Sequence, residues 1–162
     1  MKILIPIDGS SYSKNSLEFL VSRKSLLGSN SQIELLVVLP EVNVTAARAV
    51  AKDSLTRYYE EEAEKAFAPQ RKFLASCDIQ VTGSSSGRQA GASIGLLTES
   101  HVTITEVTRV GDPAEKIAEE AERFKADIII MGSRGLHALA GLFLGSVTNG
   151  VLALTKLPIL IL

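Results

Sequence analysis

The chain reads as an α/β domain: one doubly wound, five-stranded, mainly parallel sheet with helices on both faces. Two observations lead there. Short unbroken apolar runs recur along the chain, as in strands covered on both faces. Between most of them lie segments with apolar residues at helical spacing, so strands and helices alternate and the connections are crossovers.

Taken in order, Ile3-Leu4-Ile5-Pro6-Ile7 is the first strand, closed by the turn residues Asp8-Gly9-Ser10-Ser11. Ser13 to Lys24 carries Leu17, Leu20 and Val21 at helical spacing, and Gly28 marks its end. Ile33 to Leu39 is a second strand, stopped by Pro40. Asp53 to Ser76 is rich in Glu, Lys and Ala, with Leu55, Tyr58/Tyr59, Ala63, Ala66/Phe67 and Phe73/Leu74 as its apolar side. Pro69 is expected to kink or split that helix. Val102 to Val110 alternates and is β-branched, hence a strand. Asp112 and Pro113 suit the N-cap and first turn of a helix running to Lys125. Ile128 to Met131, a helix from about Ser146 to Lys156, and the run Pro158 to Leu162 complete the alternation.

A length of 162 residues suits a single domain spanning 1–162, with 46% apolar and 22% charged residues. The formal net charge of −1 gives no electrostatic case for nucleic acid or an anionic membrane as partner. A single cysteine, Cys77, fits a reducing compartment and a small, partly buried side chain. Only five apolar positions separate Lys2 from Asp8, too few for a secretory signal, and no run has the length of a membrane span, so a cytoplasmic protein is expected. The Gly/Ser-rich segment Cys77–Ser100 stands apart as an insertion, with Ile79–Thr82 and Ile94–Leu97 as candidate short elements within it.

The most informative spacing is Gly132-Ser133-Arg134-Gly135, nine residues, then Gly145-Ser146. It follows an apolar strand and leads into a helix. Glycines at a strand end let backbone approach a ligand closely. A Gly-Ser helix start presents free N–H groups, a hydroxyl and the positive end of the helix dipole, which suits phosphate. No Gly-Lys-Ser/Thr tripeptide occurs, so this is not a P-loop.

This spacing, together with Ile3 to Ser10, Val107 to Pro113, Ala126 to Gly135, Leu144 to Val147 and Leu157 to Ile161, resembles the universal stress protein family over nearly the whole chain. Gly132, Gly135, Gly145 and Ser146 meet that family's ATP-binding signature in full. The resemblance implies a Rossmann-like, adenine-nucleotide-binding fold, related to the adenine-nucleotide alpha hydrolases and usually homodimeric. It implies Pro6, Ile7 and Asp8 beside adenine and ribose, and Val38 presenting backbone to the adenine edge. Met131 and Gly132 would flank ribose and α-phosphate, with Arg134, Gly135, Gly145, Ser146, Val147 and Thr148 around the phosphates. Pro158–Leu162 resembles the family's dimerisation strand. The implied ligand is ATP, with Mg²⁺ as its companion.

Each site residue has a plainer reading. Asp8 suits a turn or N-cap, Ser146 and Thr148 suit N-capping of the last helix, and Arg134 suits a solvated loop. Glu60-Glu61-Glu62 reads as a solvated face, and His101 and His137 lack metal-ligand company. The helix end supplies only about half a positive charge, so a triphosphate calls for Arg134 or a cation as well. Catalysis finds little support, because only His137 or Asp8 is available as a base. The expected function is therefore a non-enzymatic, ATP-dependent switch, with slow ATP hydrolysis or nucleotidyl transfer, or a nucleotide-free dimeric module, as alternatives.

Overall fold

A computed structural model describes residues 1–23, 27, 30–42, 52–77, 79–82, 93–96, 102–136 and 144–162. The elements are β1 (Lys2–Ile7), α1 (Ser11–Ser22), β2 (Gln32–Leu39), α2 (Lys52–Ser76), β3 (Ile79–Thr82), β4 (Ser93–Leu96), β5 (Thr103–Val110), α3 (Pro113–Phe124), β6 (Ile128–Met131), α4 (Ser146–Leu154) and β7 (Ile159–Ile161). The main sheet has five strands in the order β5-β2-β1-β6-β7, and every pairing is parallel. The expected doubly wound architecture is observed. Within the Gly/Ser-rich segment Cys77–Ser100, β3 and β4 pair antiparallel as a separate two-stranded sheet, Ile79 opposite Leu96. The rest of that segment, residues 78, 83–92 and 97–100, lies outside the described residues, as do His101 and the stretch 137–143 that holds His137.

The alternation of side chains along each strand divides the core between the two faces. Ile3, Ile5 and Ile7 pack with Leu17 and Leu20 of α1 and with Ala63, Phe67 and Leu74 of α2. Leu4, Leu36 and Ile129 pack with Ile117 and Ala121 of α3 and Val151 of α4. Both faces of β1 are thus apolar, which is why its sequence shows no polar alternation. Helix α4 lies so close to α3 that a Cβ on Gly150 would stand 2.6 Å from the Ala114 Cβ.

Helix α2 is not split at Pro69; it runs through all 25 residues. Proline removes one donor, and the carbonyl that loses its partner belongs to Lys65. Both Pro69 and Lys65 are exposed, so water can serve that carbonyl. Beyond the proline, Arg71 forms a two-pronged ion pair with Glu106 of β5 at 2.7 and 2.8 Å, fastening the helix to the sheet.

Under α3, β2 carries a buried carboxyl, Glu34, beside buried Glu120. Arg109 pairs with Glu120 at 2.6 Å, and Arg123 reaches both acids, at 3.1 Å from Glu34. Burial pushes Glu34 up to about 7, and the hydrogen bond it shares with Glu120 adds to the shift. Burial also acts to raise Glu120, but hydrogen bonds from Arg123 and Glu34 prevail and hold it below the usual carboxylate range. Below about pH 7 the pair keeps one proton, on Glu34.

A folded-state value above the unfolded one means the native protein holds the extra proton. The stability contributed by Glu34 is therefore full below the unfolded value near 4.5 and is lost as pH rises through about 7. Urea unfolding at pH 5.5 and pH 8 should show the wild type losing roughly 1–3 kcal/mol more than Glu34→Gln across that interval. Equal losses would place the proton elsewhere.

Candidate functional site

The strand order sets where a ligand can enter. From β1 the chain moves outward to β2 and β5, then returns to the other side of β1 with β6 and β7. The carboxyl ends of β1 and β6 therefore flank the topological switch point, where crossover loops diverge and leave a crevice. The two segments singled out in the sequence, Asp8-Gly9-Ser10 and Gly132 to Gly135, leave those two strand ends.

At the β1 exit, Gly9 takes φ +81°, a turn conformation that a side chain disfavours. Ser10 then caps α1, its hydroxyl accepting from the Ser13 N–H at 3.2 Å. Asp8 is accordingly not the cap. One of its carboxylate oxygens accepts from the Ser10 N–H at 2.9 Å, and the other accepts from the Leu136 N–H at 2.9 Å. A single side chain thus ties the β1 turn to the loop after β6.

At the β6 exit the backbone is held on three sides. The Ser133 N–H donates to the Leu162 carbonyl at 2.7 Å, and the Gly145 N–H donates to the Ser133 carbonyl at 2.8 Å. The Thr148 hydroxyl donates to the Gly132 carbonyl at 3.2 Å, so it serves the loop and not the helix cap. These contacts bring Gly145 back beside Gly132 despite the intervening residues.

The glycines differ in what they accommodate. A Cβ on Gly135 would stand 2.5 Å from the Asp8 carboxylate, and one on Gly132 would stand 2.8 Å from the Tyr12 Cβ. Both are small because the protein's own groups fill the space. On Gly145 the nearest atom would be 3.5 Å away, an ordinary contact, so the protein itself tolerates a Cβ at this position. Its φ of −70° also suits any residue.

Gly145 is the N-cap of α4, and Ser146 is the first helical residue; no side chain caps this end. The contrast with α1 and α3 is informative. Ser10 caps α1, and Asp112 accepts from both Ala114 and Glu115 to cap α3, with Pro113 in its first turn as anticipated. In α4 the first helical bond is from Asn149 to the Gly145 carbonyl. The amides of Ser146, Val147 and Thr148 precede it and carry the positive end of the dipole.

That helix end opens on a cavity of about 900 Å³. Every residue selected from the sequence lines it: Pro6, Ile7 and Asp8 from β1 and its exit, and Val38 from β2. Met131, Gly132, Arg134 and Gly135 line it from β6 and its loop, and Gly145 to Thr148 from the α4 start. Its lining joins apolar side chains, Ile7, Val38, Leu39 and Met131 among them, to polar groups that include those of the glycine loop. Among the described residues no three His, Cys, Asp or Glu side chains form a group able to hold a metal.

Sequence reading missed one wall. Tyr58, Glu62, Lys65 and Ala66 of α2 line the same cavity, as do Pro113 and Ile117 of α3. The α2 residues were legible as one helix stripe, but spacing alone assigns such a stripe to core or solvent. Glu62 in particular was read with its neighbours as a solvated face, and it belongs to the cavity wall.

The family model for the Universal stress protein family matches residues 1–162. Universal stress protein YxiE of Bacillus subtilis is 27% identical over 165 residues, covering 99% of this chain and 97% of that protein. A universal stress protein of Thermus aquaticus is 49% identical over 51 residues, which is 32% of this chain and 37% of that protein, so this match spans little over a third of the relative. Among solved structures, MJ0577 superposes with a TM-score of 0.70 at 27% identity, covering 99% of this chain and 94% of that one. A universal stress protein in complex with cAMP (TM-score 0.61, 20% identity, 100% and 96% covered) and an Arabidopsis thaliana family member with AMP bound (0.58, 15%, 100% and 90%) share the fold. The chain belongs to the universal stress protein family.

Proposed function

We propose that the protein binds an adenine nucleotide, ATP with Mg²⁺ as its companion, and works as a non-enzymatic switch in a homodimer. The observation that carries this reading is the α4 end: the one uncapped helix start among α1, α3 and α4, facing a cavity lined by all the residues chosen for a nucleotide. A phosphate there takes hydrogen bonds from the Ser146, Val147 and Thr148 amides and gains the dipole, and Arg134 adds a full charge. Asp8 offers its carboxylate to ribose hydroxyls, and the backbone at Val38 reads the base edge. The apolar lining at Ile7, Val38 and Leu39 desolvates the purine. The cAMP and AMP bound to the two family structures support an adenine nucleotide as the ligand.

Hydrolysis is not favoured. Both Asp8 oxygens already accept amide hydrogens, so the carboxylate is engaged in holding the two loops. The dimer reading rests on β7, the terminal strand of the sheet. The Pro158 carbonyl and the Leu162 N–H bond to β6, so by alternation the Ile159 and Ile161 backbone groups face outward, ready to pair with a second copy.

Gly145→Val is expected to remove ATP binding while leaving the fold intact, since a Cβ there makes only ordinary contacts with the protein. Calorimetry on the wild type should give a micromolar Kd, about −8 kcal/mol. Wild-type-like affinity in folded Gly145→Val would refute the phosphate position. For the dimer, Ile161→Pro deletes an outward donor without touching the β6 ladder, so light scattering should change from dimer to monomer mass. Single-turnover incubation with Mg²⁺·ATP should release phosphate no faster than buffer alone.

A further inference from the structure

We infer that α2 is the third wall of the nucleotide site, with Tyr58 as a stacking platform for the base and Lys65 as a counter-charge for the phosphates. This deepens the nucleotide reading and rests on it. Three observations place the helix. Tyr58, Glu62, Lys65 and Ala66 all line the cavity and fall on one stripe at spacings of four, three and one residues. At one end, the Tyr59 hydroxyl accepts from the Val42 N–H at 3.0 Å, which sets this turn of α2 beside the β2 exit. Farther along, the Ala66 Cα lies 3.7 Å from where a Gly9 Cβ would be, which sets that turn against the β1 exit. Asp8 then links the β1 exit to the glycine loop. The helix therefore runs along the cavity from the β2 exit to the β1 exit, which Asp8 joins to the glycine loop. Seven residues separate Tyr58 from Lys65, an axial rise of about 10 Å.

The side chains suit these places. Tyr58 is 45% exposed although it sits in a cavity wall, leaving ring surface for a partner. Lys65 pairs with Glu62 at 2.5 Å, and its side chain is 70% exposed, so it is free to swing. Among the described residues, the charged side chains lining the cavity are Asp8 and Glu62 against Lys65 and Arg134, which cancel. A polyphosphate entering this neutral site competes with Glu62 for the ammonium group. Glu62 thus sets how strongly phosphate charge is recognised, while the base, untouched by that competition, is held at Tyr58.

The test measures Kd for adenosine, AMP and ATP, at fixed salt and with Mg²⁺, in wild type, Tyr58→Ala, Lys65→Met and Glu62→Gln. Both Tyr58 and Lys65 are exposed, so truncation leaves the core intact, and circular dichroism checks this. Tyr58→Ala should weaken all three ligands alike, by about tenfold. Lys65→Met should weaken ATP by about tenfold, AMP less, and adenosine not at all. Glu62→Gln should tighten ATP and leave adenosine unchanged. Wild-type binding with unaltered affinities in the variants overturns the α2 assignment alone, as does a Lys65→Met loss equal for adenosine and ATP. No wild-type binding of any of the three overturns the nucleotide reading beneath it.

Discussion

Asp8 is the constraint on which the site depends. It ends the central strand, and its two oxygens bind the turn that starts α1 and the loop that follows β6. Strand adjacency brings those two exits together, but parallel pairing ends with the strands and fixes nothing beyond them. The carboxylate extends the β1–β6 register into the loops by side-chain hydrogen bonds. Its position also explains Gly135, whose missing Cβ leaves room for the carboxylate. A charged acceptor between two amides is worth more than a neutral one, which suits a junction that must keep its shape beside a cavity.

Around this junction the protein leaves some groups unserved and satisfies others. The Thr148 hydroxyl and the Ser133 and Gly145 backbone are consumed in holding α4 to the β6 exit. The first amides of α4 remain, and no side chain from the N-cap turns back on them. The other two capped helices start with Ser10 and Asp112, so the fold has caps available and α4 begins with glycine instead. An anion site built this way costs little stability, because water solvates exposed helix amides when no ligand is present.

The buried charges lie away from the cavity and serve a different end. Glu34, Glu120, Arg109 and Arg123 clamp α3 to β2 and β5, while Arg71 and Glu106 clamp α2 on the opposite face. Each cluster fixes a helix whose inner residues also wall the cavity. Rigid placement of α2 and α3 thus depends on charge pairs that a hydrophobic pattern does not reveal.

The sequence by itself determined the strands, the helices and their alternation, because apolar runs and caps are local properties of the chain. It also marked the glycine loop, since Gly132, Gly135, Gly145 and Ser146 carry a spacing visible without coordinates. Local reading allowed a split at Pro69 that does not occur, and took Asp8 for a possible cap when Ser10 holds that role. Only the tertiary structure decided which neighbours meet. It set β6 beside β1 and so created the crevice, gave Asp8 its partner 128 residues away, and put residues of α2 in the cavity wall. Those relations come from packing between segments distant in sequence, and a helix stripe facing a cavity carries the same spacing as one facing a core or solvent.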